Sequence, residues 1–107
     1  MVYKKRELRN HTIVTIEGSL DIYTAPSFKK DIHALIDGGI ESLVMDMVNI
    51  RLLDSSGIAL LANLHKKLKS EGGKLYLMNV NNDIIVILKL SSLDKFFTIL
   101  NSEADLP

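Results

Sequence analysis

The sequence has no cysteine and no tryptophan, only two prolines, and no surplus of either charge across its 107 residues. Without cysteine, disulfide frameworks and thiolate metal sites are excluded, and a reducing compartment is compatible. Lys and Arg total 13 against 13 Asp and Glu. No global field therefore draws the chain onto nucleic acid or an anionic membrane, and any binding surface has to be local. Aromatic residues make up only 6%, so aliphatic side chains, in a chain 47% apolar, must build the core. Long hydrophobic runs are also missing. No run exceeds five residues, and one of that length, Ile84 to Leu88, is far too short to cross a bilayer. Met1 to Arg6 leads into no apolar segment, so a signal peptide is not expected. What these exclusions leave is a soluble cytoplasmic protein of one compact domain, the common outcome at this length.

The pattern that is present is alternation of strands and helices. Val2 to Leu8 is charged and reads as an edge strand, where lysines discourage sheet-to-sheet association. Arg9-Asn10 supplies a turn, and the β-branched run His11 to Glu17 reads as the second strand, ended by Gly18. Thr24 to Pro26 has the cap and early proline of a helix start. Phe28, Ile32, Leu35 and Ile36 then fall on one helical face until Gly38-Gly39. Leu43 to Val48 is a short apolar strand covered on both faces. A second helix follows Asp54, with Ile58, Leu61, Leu64 and Leu68 on one face and Lys66, Lys67 and Lys69 in its last turns. Gly72-Gly73 ends it, and Leu75 to Met78 is the next strand. This strand–helix–strand segment has the length of a βαβ unit, whose crossover should be right-handed. Ile84 to Leu88 fits a buried strand or a buried helix by periodicity alone; the cap residues Asn81, Asn82 and Asp83 favour the helix. Phe96 to Leu100 reads as a last short strand, and residues 101–107 as a loose tail. The fold class is α/β: a mixed sheet of four to five strands with the helices mainly on one face.

The chemistry-bearing residues concentrate at Asp54-Ser55-Ser56-Gly57. Serines at a strand-to-helix junction sit beside unpaired backbone N–H groups and the positive end of the helix dipole, so a phosphate attached there meets a receptive environment. Gly57 would let another chain approach the backbone closely. The plainer alternative is that Asp54 or Ser55 merely caps the helix.

Context decides between them. The run Asn49-Ile50-Arg51-Leu52-Leu53-Asp54-Ser55-Ser56-Gly57-Ile58-Ala59-Leu60-Leu61 resembles the signature of the STAS family, in its anti-sigma factor antagonist branch. Gly18-Ser19-Leu20-Asp21 with Thr24-Ala25, and Gly72-Gly73-Lys74-Leu75, resemble two further segments of that family in the right order. Ile58-Ala59 departs from the leucine–glycine pair more usual there, which leaves the partner's identity open. The resemblance implies partner switching. The unphosphorylated antagonist binds an anti-sigma factor that is also a serine kinase, and so frees a sigma factor. The kinase then uses ATP to phosphorylate the serine after the aspartate, here Ser55, and a metal-dependent serine phosphatase resets the switch. Asp21, Thr24, Asp54, Ser55, Ser56, Gly57 and Ile58 are the expected docking residues. No cofactor, resident metal, nucleic acid or membrane enters this scheme, and the protein is a kinase substrate and not an enzyme.

Rival readings rest on less. A STAS module organising a larger signalling assembly would use the same fold without controlling a sigma factor. Asp21, Asp46 and Asp54 lack histidines at ligand spacing for a metal or acid–base cluster. His11, His33 and His65 fall in three different elements and read as surface or boundary residues. No G-x-x-x-x-G-K loop is present, and the G-x-S-x-G elbow of a serine hydrolase is missing. Lys4, Lys5, Arg6 and Arg9 could touch nucleic acid, but edge-strand protection explains them.

Overall fold

The computed structural model describes residues 2–107. Strands β1 (Val2–Leu8) and β2 (His11–Leu20) form an antiparallel hairpin whose turn places Arg9 at φ 52°. Helix α1 (Ala25–Asp37) leads to β3 (Ser42–Leu53), α2 (Ser55–Ser70) to β4 (Lys74–Met78), and α3 (Asn82–Leu90) to β5 (Thr98–Leu100). The sheet order is β1-β2-β3-β4-β5, and β2 through β5 run parallel. This is the expected single α/β domain with a five-stranded mixed sheet, and β1 is its edge strand.

Alternation along the strands decides the packing. Val14, Ile16, Met45, Met47, Leu75 and Leu77 share one core with Phe28, Ile32 and Ile36 of α1, Leu61, Leu64 and Leu68 of α2, and Ile84 and Leu88 of α3. All three helices therefore cover the same face. Tyr3 of β1 reaches over this core to meet the Phe28 ring edge-on at 5.3 Å, and its hydroxyl donates to Asp31 at 3.2 Å. The ambiguous run Ile84 to Leu88 is helical, and the Asn81 side chain caps it by accepting from the Ile84 N–H at 2.9 Å.

The structure differs from the expected strand bounds and tail in four places. Gly18 does not end β2: at φ 95°, between two shifts of register, it bends the strand and lets it continue to Leu20. β3 likewise runs to Leu53, because the extension of β2 supplies it with partners as far as the Leu20–Leu53 pair. β5 starts only at Thr98; Phe96 and Phe97 precede it, packed edge to face at 5.0 Å, with Phe97 buried. Finally, residues 101–107 are docked and not loose. A short 3-10 helix, Glu103–Asp105, carries Leu106 onto the helix-free face of the sheet, where it is buried with Ile13, Val44 and Met78. Arg6 pairs with Glu103 there.

His11 sits under that tail. It is buried, contrary to its reading as a surface or boundary residue. The Pro107 backbone oxygen can only accept, so His11 Nε2 carries the proton in that 2.9 Å bond; Nδ1 meets the Ser42 hydroxyl at 2.6 Å. Truncating Leu106→Ala should therefore cost about 2 kcal/mol. That corresponds to a fall in melting temperature of roughly 10 °C. A loss below about 0.5 kcal/mol, the scale of ordinary surface substitutions, would show that the tail does not contribute to the fold.

Candidate functional site

The candidate site is built where β2 and β3 outrun β4. β4 pairs with β3 no further than Asp46–Met78, whereas β2 and β3 stay together to Leu20–Leu53. The two chain segments leaving this ribbon, Asp21–Thr24 and Asp54–Gly57, consequently emerge side by side, joined by the Asp54 N–H on the Leu20 carbonyl at 3.3 Å.

Asp54 ties both segments together. Its Oδ1 accepts from the N–H groups of Ser56 (2.9 Å) and Gly57 (3.1 Å), capping α2. Its Oδ2 accepts from Ile22 N–H in the neighbouring loop at 3.2 Å. Asp21 organises that loop in turn, accepting from the N–H groups of Tyr23 (2.9 Å) and Thr24 (3.0 Å). The Thr24 side chain does not cap α1; its hydroxyl accepts from Asp21 N–H at 3.0 Å and donates to the Ser19 carbonyl at 2.9 Å.

The capping pattern modifies the expected anion site. Ile58 N–H closes on the Asp54 carbonyl at 3.0 Å, and Asp54 Oδ1 already holds the next two donors. The first turn of α2 offers a group on Ser55 its dipole end, but its N–H groups from Ser56 to Ile58 are already engaged.

Ser55 is exposed, as the first residue of α2. Ser56 and Ile58 are half-buried, and Ser56 lines a groove between α1 and α2 with Ala25, Pro26 and Lys29. The groove has a volume of about 390 Å³, and farther along it His33 Nε2 meets Asn63 Oδ1 at 2.8 Å. Gly57 is buried. A Cβ there would lie 2.5 Å from both the Leu20 carbonyl oxygen and Leu53 Cδ1. The close approach the glycine permits is thus internal, between α2 and the strand ends, and not an opening for another chain.

Asp21 and Asp54 share this end of the sheet, but Asp46 does not join them. Asp46 is buried, accepting from Thr15 Oγ1 (3.1 Å), Asn79 Nδ2 (3.0 Å) and Val48 N–H (3.2 Å). Among the described residues no group of three or more acidic or histidine side chains could hold a metal ion. Likewise, no helix among them is long and apolar enough to cross a membrane.

Three residues at this end escape a reading by motif. Ile22, Tyr23 and Leu52 are 63%, 89% and 54% exposed, large apolar side chains held outward by the pinned backbone. The signal available was their bulk inside a short polar loop and beside Asp54.

A five-stranded sheet with helices on one face and an exposed serine opening its central helix defines a small α/β domain. The STAS domain model matches residues 3–106, and the chain belongs to that family. An anti-sigma F factor antagonist of Paenibacillus polymyxa is 26% identical over 103 residues, covering 92% of this chain and 88% of its own. A Mycobacterium paratuberculosis anti-sigma factor antagonist superimposes with a TM-score of 0.86 at 25% identity, covering 97% of this chain and 88% of the other. The Bacillus cell fate determinant SpoIIAA in its phosphorylated form shares the fold, with a TM-score of 0.74 at 18% identity and coverage of 96% and 95%. The first two of these relatives are anti-sigma factor antagonists.

Two substitutions probe the construction. Asp54→Ala should destabilise the domain by about 1–2 kcal/mol through loss of the cap and speed amide exchange at Ile22, whereas Asp54→Asn keeps much of both. Unchanged exchange at Ile22 in the alanine variant would contradict the bridging role. Gly57→Ala should cost about 1–3 kcal/mol by overpacking against Leu20, outweighing the roughly 1 kcal/mol that alanine gains as a helix former. A more stable alanine variant in denaturant titration would refute the contact.

Proposed function

We propose that this chain is a cytoplasmic anti-sigma factor antagonist. Its unphosphorylated form binds an anti-sigma factor that is also a serine kinase, and so releases a sigma factor. Phosphorylation of Ser55 switches it off, and a serine phosphatase restores it. It acts as a binding partner and kinase substrate, without catalysis of its own. The observation that carries this reading is the placement of Ser55: exposed, at the first position of α2, beside a loop pinned by the same aspartate that caps the helix. Family membership supports it.

The physics of the switch follows from the site. A phosphoserine carries about −1.5 to −2 charge near neutral pH. The helix dipole stabilises such a charge by roughly 0.3–1 kcal/mol at an exposed site, and Asp54, the adjacent residue, opposes it. The N–H groups of Ser56, Gly57 and Ile58 are already bonded to Asp54. The phosphate is therefore left largely to solvent, and a partner covering Ser55 must desolvate it. Each 1.4 kcal/mol of that penalty weakens binding about tenfold.

The direct test is binding of the anti-sigma factor to three forms of the full chain. Ser55→Ala should bind constitutively, while the phosphorylated protein loses most of its affinity and Ser55→Glu shows a weaker version of that loss. Phosphopeptide mapping should place a single phosphoryl group on Ser55. Modification of Ser56, Thr24 or Ser27 instead, or equal affinity for all forms, would overturn the assignment. Because the local terms nearly cancel, phosphorylation should move the melting temperature by only a few degrees, with amide shifts clustered around Asp21, Ser55 and the first turns of α2. A steep fall in melting temperature, or shifts spread through the distant strands, would mean that the switch refolds the domain.

A further inference from the structure

The groove beside Ser56 runs much farther than the serine. Past the part lined by Ser56 and Ala59 it continues along α1, through Lys30 and Ala34 to Asp37, as a second stretch of about 440 Å³. Both stretches share Pro26 and Lys29. Pro26 to Asp37 is about 16 Å along the helix axis, which matches three turns of another helix laid against it. Small side chains open the space: Ala25 and Leu60 form its floor, and Ala34 and Ala59 stand exposed on its walls. The His33–Asn63 hydrogen bond at 2.8 Å joins those walls.

The charge along the groove is one-sided. Lys29 and Lys30 stand exposed on the α1 wall and, among the described residues, form no ion pair. The carboxylate at the far end, Asp37, is held by Lys67 at 2.9 Å. Because β2 and β3 are parallel, α1 and α2 both begin at the Ser55 end and set two positive dipole ends side by side. Neither first turn carries an acidic side chain. Asp21 and Asp54 lie beside them, but their oxygens accept from backbone N–H groups. In a chain of zero total charge, this local excess comes from the fold and not from composition.

We propose that the groove is the docking site for a helix of the anti-sigma factor, its apolar side on Pro26, Ala34 and Ala59 and its carboxylates on Lys29 and Lys30. The inference rests on the reading of Ser55 as the switch, and it supplies the partner's chemistry: an amphipathic helix with an acidic rim. It also gives the phosphate a second way to act. Attached next to Ser56, at the open end of the groove, it sets about −1.5 to −2 charge before the same carboxylates. Part of the lost affinity is then repulsion, which salt screens.

Titration of the cognate anti-sigma factor into the isotope-labelled full chain provides the test. Amide shifts should run along Lys29, His33, Ala34, Ala59 and Asn63 as well as around Ser55. The variants Lys29→Glu/Lys30→Glu and Ala59→Phe alter only exposed groove positions. Each should melt within a few degrees of the parent and bind at least about tenfold more weakly. The losses from charge reversal and from Ser55 phosphorylation should both shrink between about 0.1 M and 1 M salt, as the Debye length falls from about 10 to 3 Å. Parental affinity in both variants, or shifts around Asp21 and Ser55 with none along α1, would overturn the groove and leave the switch standing. Failure of Ser55→Ala itself to bind the factor would remove the switch and this inference with it.

Discussion

The carboxylate of Asp54 ties together the two pieces of chain that the paired ends of β2 and β3 deliver side by side. One oxygen closes the first turn of α2 and the other closes on the loop that follows β2. The arrangement is possible because Gly57 lets the helix start sit directly on the Leu20 carbonyl, where any side chain would collide. Cap, glycine and strand ends thus constitute one joint. Under the proposed switch, a modification on Ser55 would alter the docking surface without softening the domain beneath it.

The same joint explains why α2 starts where it does. β2 and β3 run past the rest of the sheet, bent by the Gly18 irregularity, and deliver Leu20 and Leu53 to the same height. Shorter strands would leave the Asp21–Thr24 loop and Asp54 too far apart to be bridged by one side chain. The large apolar residues Ile22, Tyr23 and Leu52 are consequently displayed outward around a rigid frame, with little loop entropy left to lose on association.

The remainder of the molecule is divided by the pleat. One face of the sheet receives all three α-helices; the other, among the described residues, receives the C-terminal segment through Leu106. α2, packed against the centre of the helical layer, has two unlike ends. Its start carries the serine and an aspartate cap. Its later turns carry cations, of which Lys67 is paired within the chain and Lys69 faces a cavity.

Much of this was written in local pattern. Apolar spacing, edge-strand charge and turn residues located the five strands and three α-helices, and cap residues correctly resolved Ile84 to Leu88 as α3, because backbone hydrogen bonding and amphipathicity are short-range properties. The Asp54 to Gly57 segment was legible as a helix start carrying serines for the same reason. Local pattern could not reveal what depends on the partner across space. Gly18 reads as a stop until β3 is there to receive a bent strand. Gly57 reads as an opening until Leu20 is found against it. Leu106 and His11, nearly the whole chain apart in sequence, read as tail and boundary until the uncovered face of the sheet brings them together. Sequence alone determined the elements and the chemistry each could carry. Tertiary structure decided which faces were left open, which donors were already bonded and which charges met without a counterion, because those depend on distances between residues that no local periodicity encodes.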